Sequence, residues 1–165
     1  MNRRCPHNKL VGLGVLREWK WIINNRGYAN VVRSPEDRVY GLVYEISPSD
    51  EASLDWWEEV PSGYTKHTVE VELQSGNNGD GLVVQGLAYV DEKRTEEGKP
   101  RDEYIHRMNR GINDGTTRGL PRWYIDKYLR RFIPVEGEKE AVEARGGGSL
   151  SRGNRCGAED IREVG

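Results

Sequence analysis

Strand-forming residues recur in three runs near the start of the chain, Leu10–Leu16, Trp19–Ile23 and Tyr28–Val32, with Asn24-Asn25-Arg26-Gly27 between the last two. Short apolar runs punctuated by Asn and Gly predict strands joined by a hairpin. Ser34-Pro35-Glu36-Asp37 reads as a turn, and Val39–Ile46 behind it as the clearest strand, which Ser47-Pro48-Ser49-Asp50 stops. The same stop predicts a helix over 51–58, with Ser49 or Asp50 as its N-cap and early acids that suit a helix N-terminus. From Tyr64 to Leu73 the pattern alternates, with Val69, Val71 and Leu73 on one face and Glu70 and Glu72 on the other, as in a half-buried strand. A polar loop over 74–81 leads to another strand, Leu82–Val90, in which Gly86 suggests a bulge.

After a charged turn over 91–101 the period becomes helical. Tyr104, Ile105, Met108 and Ile112 share one face, and Gly115 is expected to end that helix. A second helix is expected from Pro121, in its first turn, to Phe132, with Pro134 closing it. Residues 136–165 turn to Gly, Glu and Arg and read as a disordered, low-complexity tail behind a 1–135 domain. Strands, a short helix, strands and then two helices predict an α+β fold, a curved mixed sheet or small β-barrel with flanking helices.

Composition narrows the function classes. The 165 residues suit one domain, and 35% hydrophobic against 32% charged residues is polar for a globular chain. Five Trp and eight Tyr against one Phe supply core area with polar tips, as ligand pockets often require. A net charge of −2 gives no field to hold a nucleic-acid backbone. Arg130, Arg131 and the Arg/Gly-bearing tail are diluted by Glu136, Glu138, Glu140 and Glu143. Cys5 and Cys156 lie near opposite ends and match neither a disulfide framework nor a zinc spacing. The first residues contain no apolar signal region and no 18-residue apolar run follows, so a cytoplasmic, reducing setting without a membrane is expected.

The candidate chemistry lies in Leu54-Asp55-Trp56-Trp57-Glu58-Glu59-Val60-Pro61-Ser62-Gly63-Tyr64. Two acids between two tryptophans and a Pro-Ser-Gly turn would be partly walled from water, which raises a carboxyl pKa toward the range of a general base. Glu58 or Glu59 qualifies; the plainer alternative is an exposed helix end with two solvated acids. His67 and His106 show no partner in the sequence and read as a strand residue and a helix-surface residue.

Four segments together resemble the γ-glutamylcyclotransferases, particularly the fungal members. They are Arg26-Gly-Tyr-Ala-Asn-Val-Val32 with Val39-Tyr-Gly-Leu-Val-Tyr44; Ser49-Asp-Glu-Ala-Ser-Leu-Asp55 running into Glu58; Asp102-Glu-Tyr-Ile-His-Arg-Met-Asn-Arg-Gly-Ile112; and Gly119-Leu-Pro121 followed by Tyr124. The resemblance implies that a γ-glutamyl amino acid or peptide is converted to 5-oxoproline and a free amino acid. Its own α-amine attacks the γ-carbonyl while Glu58 moves the proton. It further implies substrate contacts from Tyr104 and Tyr64, and Asn30 is a third candidate, although a strand-end turn explains that residue equally well. No cofactor and no metal are implied. The implied partner is a small γ-glutamyl molecule, not nucleic acid or a membrane, for a monomer or homodimer.

Two departures accompany the resemblance. The family's N-terminal strand and its Tyr-Gly-Ser-Asn loop, whose backbone N–H groups cradle the glutamyl group, have no counterpart here, so an N-terminally truncated domain is expected. The alternative reading is therefore an impaired or inactive cyclotransferase-like binding module. Glu59 stands where the family usually has glycine, and an adjacent acid is expected to raise the Glu58 pKa further or to compete for its role.

Overall fold

A computed structural model describes residues 4–74 and 81–136. The expected tail falls on 136–165, of which only Glu136 is among the described residues. Two long strands, β1 (Lys9–Ile23) and β2 (Ala29–Glu45), replace the several short ones that the pattern predicts. They form one antiparallel hairpin, from Lys9↔Glu45 to Ile23↔Ala29, around the anticipated Asn24–Gly27 turn. The Asn24 side-chain oxygen closes that turn by accepting from the Arg26 and Tyr28 N–H groups at 3.0 and 3.3 Å.

Ser34-Pro35-Glu36-Asp37 does not end a strand. Arg17 pairs with Arg38 and Trp19 with Arg33, so these four residues loop out opposite Glu18, which takes φ 62°. Ser34 Oγ bonds Asp37 Oδ2 at 2.6 Å. Local turn chemistry is thus expressed as a bulge, because the flanking residues find β1 on both sides of it.

The remaining strands, β3 (Thr65–Leu73) and β4 (Val83–Val90), pair antiparallel without interruption from Thr65↔Val90 to Glu72↔Val83. Gly86 therefore makes no bulge. It faces Val69, and a Cβ there would stand 3.0 Å from Val71 Cγ2, so close approach accounts for the glycine. The sheet order is β2-β1-β3-β4, with β1 and β3 joined at Gly14↔Leu73 and Val15↔Glu72.

Helix α1 (Pro48–Trp57) is capped by Ser47, two residues ahead of Ser49 and three ahead of Asp50, the expected caps. Ser47 Oγ accepts from the Asp50 N–H at 3.1 Å, while Pro48 occupies the first turn, where its missing N–H costs nothing. Helix α2 (Asp102–Thr116) runs one residue past Gly115. Pro121 caps α3 (Arg122–Tyr124) instead of lying inside it, and the chain continues as a π-helical turn over Ile125–Leu129 that stops short of Phe132. Arg130 ends it by turning its guanidinium onto Asn109 Oδ1 at 2.5 Å and the Ile133 carbonyl at 3.2 Å.

One apolar cluster joins Trp21 and Ile23 to Tyr104, Ile112, Tyr124, Ile125 and Ile133, which fastens α2 and α3 to the β1/β2 hairpin. A second unites Trp19 with Val69 and Val90 across the curved sheet. The α+β class with helices flanking a curved sheet is thus realised, but among the described residues every strand pair is antiparallel, so the sheet is not the expected mixed one. Among the described residues no helix is long and apolar enough to cross a membrane.

Candidate active site

Glu58 follows the last residue of α1 and its N–H still donates to the Leu54 carbonyl at 2.8 Å. The helix then closes with two bonds, Glu59 N–H to Trp56 O at 3.2 Å and Val60 N–H to Asp55 O at 3.0 Å. This is the Schellman arrangement, whose C′ residue adopts the left-handed conformation. Glu59 holds that position at φ 53°, where a glycine would be unstrained. The turn returns at once: Tyr64 N–H donates to the Glu58 carbonyl at 3.1 Å. A Cβ on Gly63 would lie 2.6 Å from that same carbonyl, so the return requires glycine.

The sequence placed Glu58 behind two tryptophans, but Trp56 is 72% exposed and shields little. Trp57 carries the Arg4 guanidinium 5.2 Å from its ring centroid, and Arg4 Nη1 lies 3.4 Å from Glu58 Oε1. The Glu58 side chain is 25% exposed. Burial lifts its pKa above the ordinary carboxylate value, and the positive charges of Arg4 and Arg107 pull it part of the way back. Glu59 is 64% exposed, with Arg26 Nη1 at 4.0 Å from Oε2. It is not among the causes of the Glu58 shift, contrary to the expectation of an acid pair.

Tyr64 and Tyr104 meet at the backbone of Ala29, the first residue of β2. Tyr64 Oη donates to the Ala29 carbonyl at 3.2 Å. Burial, then the Glu58 charge, pushes the Tyr64 hydroxyl up to about 12. Tyr104 is buried at 7% exposure and packs edge-on against Tyr28, ring centroids 5.2 Å apart. Burial raises its pKa too, opposed by the Arg107 charge and by hydrogen bonds to the Ala29 backbone and the Arg107 side chain. Both tyrosines remain protonated donors at neutral pH, and both feel the Glu58 charge.

Asn30 is placed next to this group and its amide is fully engaged. It donates to the Asp91 and Arg94 carbonyls at 2.9 and 3.1 Å and accepts from the Asp91 N–H at 2.9 Å. Asp91, with no exposed surface, is in turn held by Arg94 Nη1 at 2.9 Å and Asn24 Nδ2 at 3.1 Å. His67 and His106 have acidic partners that the sequence did not reveal: His67 lies 2.9 Å from Glu92 and His106 2.6 Å from Glu136, both at the surface.

Arg4 and Arg107 are the site residues that sequence reasoning missed. Arg107 carried a readable signal, since it lies three residues after Tyr104 and a helix presents i and i+3 on one face. Arg4 carried none. Two surface cavities, of about 190 Å³ beside Trp21, Lys127 and Tyr128 and of about 440 Å³ beside Leu10, Tyr40 and Pro121, are lined by other residues than Glu58, Tyr64 and Tyr104.

Residues 38–128, more than half of the chain, match the AIG2-like family, a stretch that includes Glu58, Tyr64, Tyr104 and Arg107. The chain belongs to this AIG2-like, γ-glutamylcyclotransferase-like family. Among curated relatives of the family, γ-glutamylaminecyclotransferase B of Danio rerio is 28% identical over 98 residues, 58% of this chain and 51% of its own length. The chain thus spans about half the length of that relative. Among solved structures, a γ-glutamyl cyclotransferase superposes with a TM-score of 0.67 at 25% identity, covering 88% of this chain and 90% of the other. An uncharacterized protein from Homo sapiens gives the same TM-score, 0.67, at 24% identity over 86% and 88% of the two chains. These two likenesses extend the shared α+β fold well beyond the 38–128 segment.

Proposed function

We propose that the chain is a γ-glutamylcyclotransferase that converts γ-glutamyl amino acids or peptides to 5-oxoproline and a free amino acid. The observation that carries this reading is the Glu58 carboxyl, lifted by burial and faced by two protonated tyrosines anchored on one backbone residue. Family membership supports it, as do the names of the zebrafish relative and of the superposed cyclotransferase.

The chemistry needs little beyond geometry and one proton carrier. The substrate's α-amine forms the new C–N bond at its own γ-carbonyl, and the old γ-amide C–N bond breaks. Glu58 takes the proton from the attacking nitrogen and returns it to the leaving nitrogen, so it ends the cycle unchanged. A carboxyl raised above its ordinary range is better matched to this shuttling near neutral pH than a solvated one. Tyr64 and Tyr104 offer hydroxyls that orient the folded substrate, and holding it in a near-attack shape supplies much of the rate.

The test is 5-oxoproline release from a panel of γ-glutamyl dipeptides and γ-glutamylamines, with Glu58→Gln beside the parent. Release that falls at least about 100-fold in a folded Glu58→Gln protein is the expected result, since general acid–base catalysis contributes about 10²–10⁴. Equal release by parent and variant removes Glu58 from the role. No release by the folded parent on any panel member removes the cyclotransferase reading.

A further inference from the structure

A site that works through a carboxylate repels anionic substrates unless a cation compensates. Four guanidinium groups lie around Glu58, Tyr64 and Tyr104, and three of them already hold a carboxylate or a backbone carbonyl. Arg4 reaches Glu58 Oε1 at 3.4 Å, Arg26 approaches Glu59 Oε2 at 4.0 Å, and Arg101 Nε donates to the Arg26 carbonyl at 2.9 Å while covering the Tyr28 ring at 5.1 Å. Arg107 differs. Its guanidinium lies 4.8 Å from the centroid of the Tyr104 ring and bonds the Tyr104 side chain, and among the described residues no carboxylate stands within ion-pair distance of it. Its charge reaches both Tyr104 and Glu58.

We infer that Arg107 is the substrate-carboxylate receptor of this site. The inference deepens the cyclotransferase reading and takes the identity of the substrate from it. Helical spacing places Arg107 and Tyr104 on one face of α2, so the hydroxyl and the fork of N–H donors act on the same molecule. Stacking on Tyr104 restrains the guanidinium before substrate arrives, which lowers the entropy lost on binding. A planar fork also matches a carboxylate bidentately, as an ammonium does not. The carboxylate comes from the α-carbon of the glutamyl group or from the amino acid to be released, and both present the same chemistry.

Isothermal titration of the Glu58→Gln protein, in which turnover is suppressed, separates these sources. Three probes serve: γ-glutamyl-alanine, γ-glutamyl-alaninamide without the terminal carboxylate, and 4-aminobutanoyl-alanine without the α-carboxylate. Adding Arg107→Gln is expected to weaken γ-glutamyl-alanine binding by about 10-fold to 100-fold, as for a lost charge-assisted pair, in a protein that circular dichroism shows to remain folded. Arg107→Lys restores part of the loss. The probe lacking the received carboxylate binds weakly from the start and is indifferent to Arg107→Gln, which names the source. Affinity for γ-glutamyl-alanine unchanged within about twofold by Arg107→Gln, or no binding of any probe, overturns the assignment. Arg107-dependent binding without 5-oxoproline release by the unsubstituted chain keeps the receptor and discards the cyclotransferase. Release that ignores Arg107→Gln does the reverse.

Discussion

Replacing Asn30 with alanine separates a structural from a substrate-binding role for the residue most ambiguous in the sequence. Its amide makes three hydrogen bonds to the 91–94 turn, of 2.9, 3.1 and 2.9 Å, and the side chain is 3% exposed. Alanine leaves the Asp91 N–H and two carbonyls without these partners in a site where water has little access. At about 1 kcal/mol net for each neutral hydrogen bond, the loss is about 3 kcal/mol. For a chain of this size each kcal/mol shifts the melting temperature by about 2–4 °C, so a fall of about 6–12 °C is expected. Thermal and urea melts followed by circular dichroism read it directly. Hydrogen exchange at the Asp91 amide provides a local check, because that proton loses its Asn30 Oδ1 acceptor. The damage extends to the site, since the adjacent Ala29 carbonyl anchors Tyr64 Oη. If the melting temperature moves by less than about 2 °C while KM for γ-glutamyl substrates rises, the structural reasoning is refuted and Asn30 is a substrate contact.

Because burial holds the folded Glu58 pKa above the ordinary 4.5, its ionisation costs stability, a cost absent below pH 4.5 and complete once pH passes the folded value. Glu58→Gln therefore melts above the parent near neutral pH and level with it in acid; a pH-independent gap contradicts the sign. The acid limb of kcat/KM against pH should likewise fall above the usual carboxylate range. Glu59→Gly relieves the left-handed backbone at φ 53° and gains about 1 kcal/mol by urea melts, the weak Arg26 contact being worth little; a net loss would disprove this. The Tyr124 hydroxyl is buried, and the Tyr40 backbone is the group nearest to bonding it, short of ordinary hydrogen-bond geometry. Tyr124→Phe is thus expected to leave stability unchanged or raise it by about 1 kcal/mol, and a clear drop would show the Tyr40 contact to be a formed hydrogen bond.

Local signals placed the elements well where chemistry and pairing agreed. The alternation of Val69, Val71 and Leu73 became β3, the Asn24–Gly27 turn became the hairpin, and the apolar face of α2 packed as its period demanded. They failed where a distant partner overrode them. Ser34–Asp37 keeps its internal bond yet bulges from a continuous strand, and Gly86 serves the Val71 side chain without breaking the ladder.

The same division runs through the candidate site. Glu58 beside Tyr64 was written into the sequence, because a helix end, a left-handed C′ residue and Gly63 return the chain within six residues through local hydrogen bonds. The acid pairing expected of Glu59 and the shield expected of Trp56 were not, since the tight C′ turn leaves both side chains facing water. Only the tertiary structure brought Tyr104 and Arg107 from α2 and Arg4 from the start of the described chain toward the Glu58 carboxyl, and the Ala29 carbonyl of β2 to the Tyr64 hydroxyl. Sequence periodicity reports which face of an element is apolar. Which faces meet is decided by packing α2 against the β1/β2 hairpin, through contacts such as Trp21 and Ile23 with Tyr104 and Ile112.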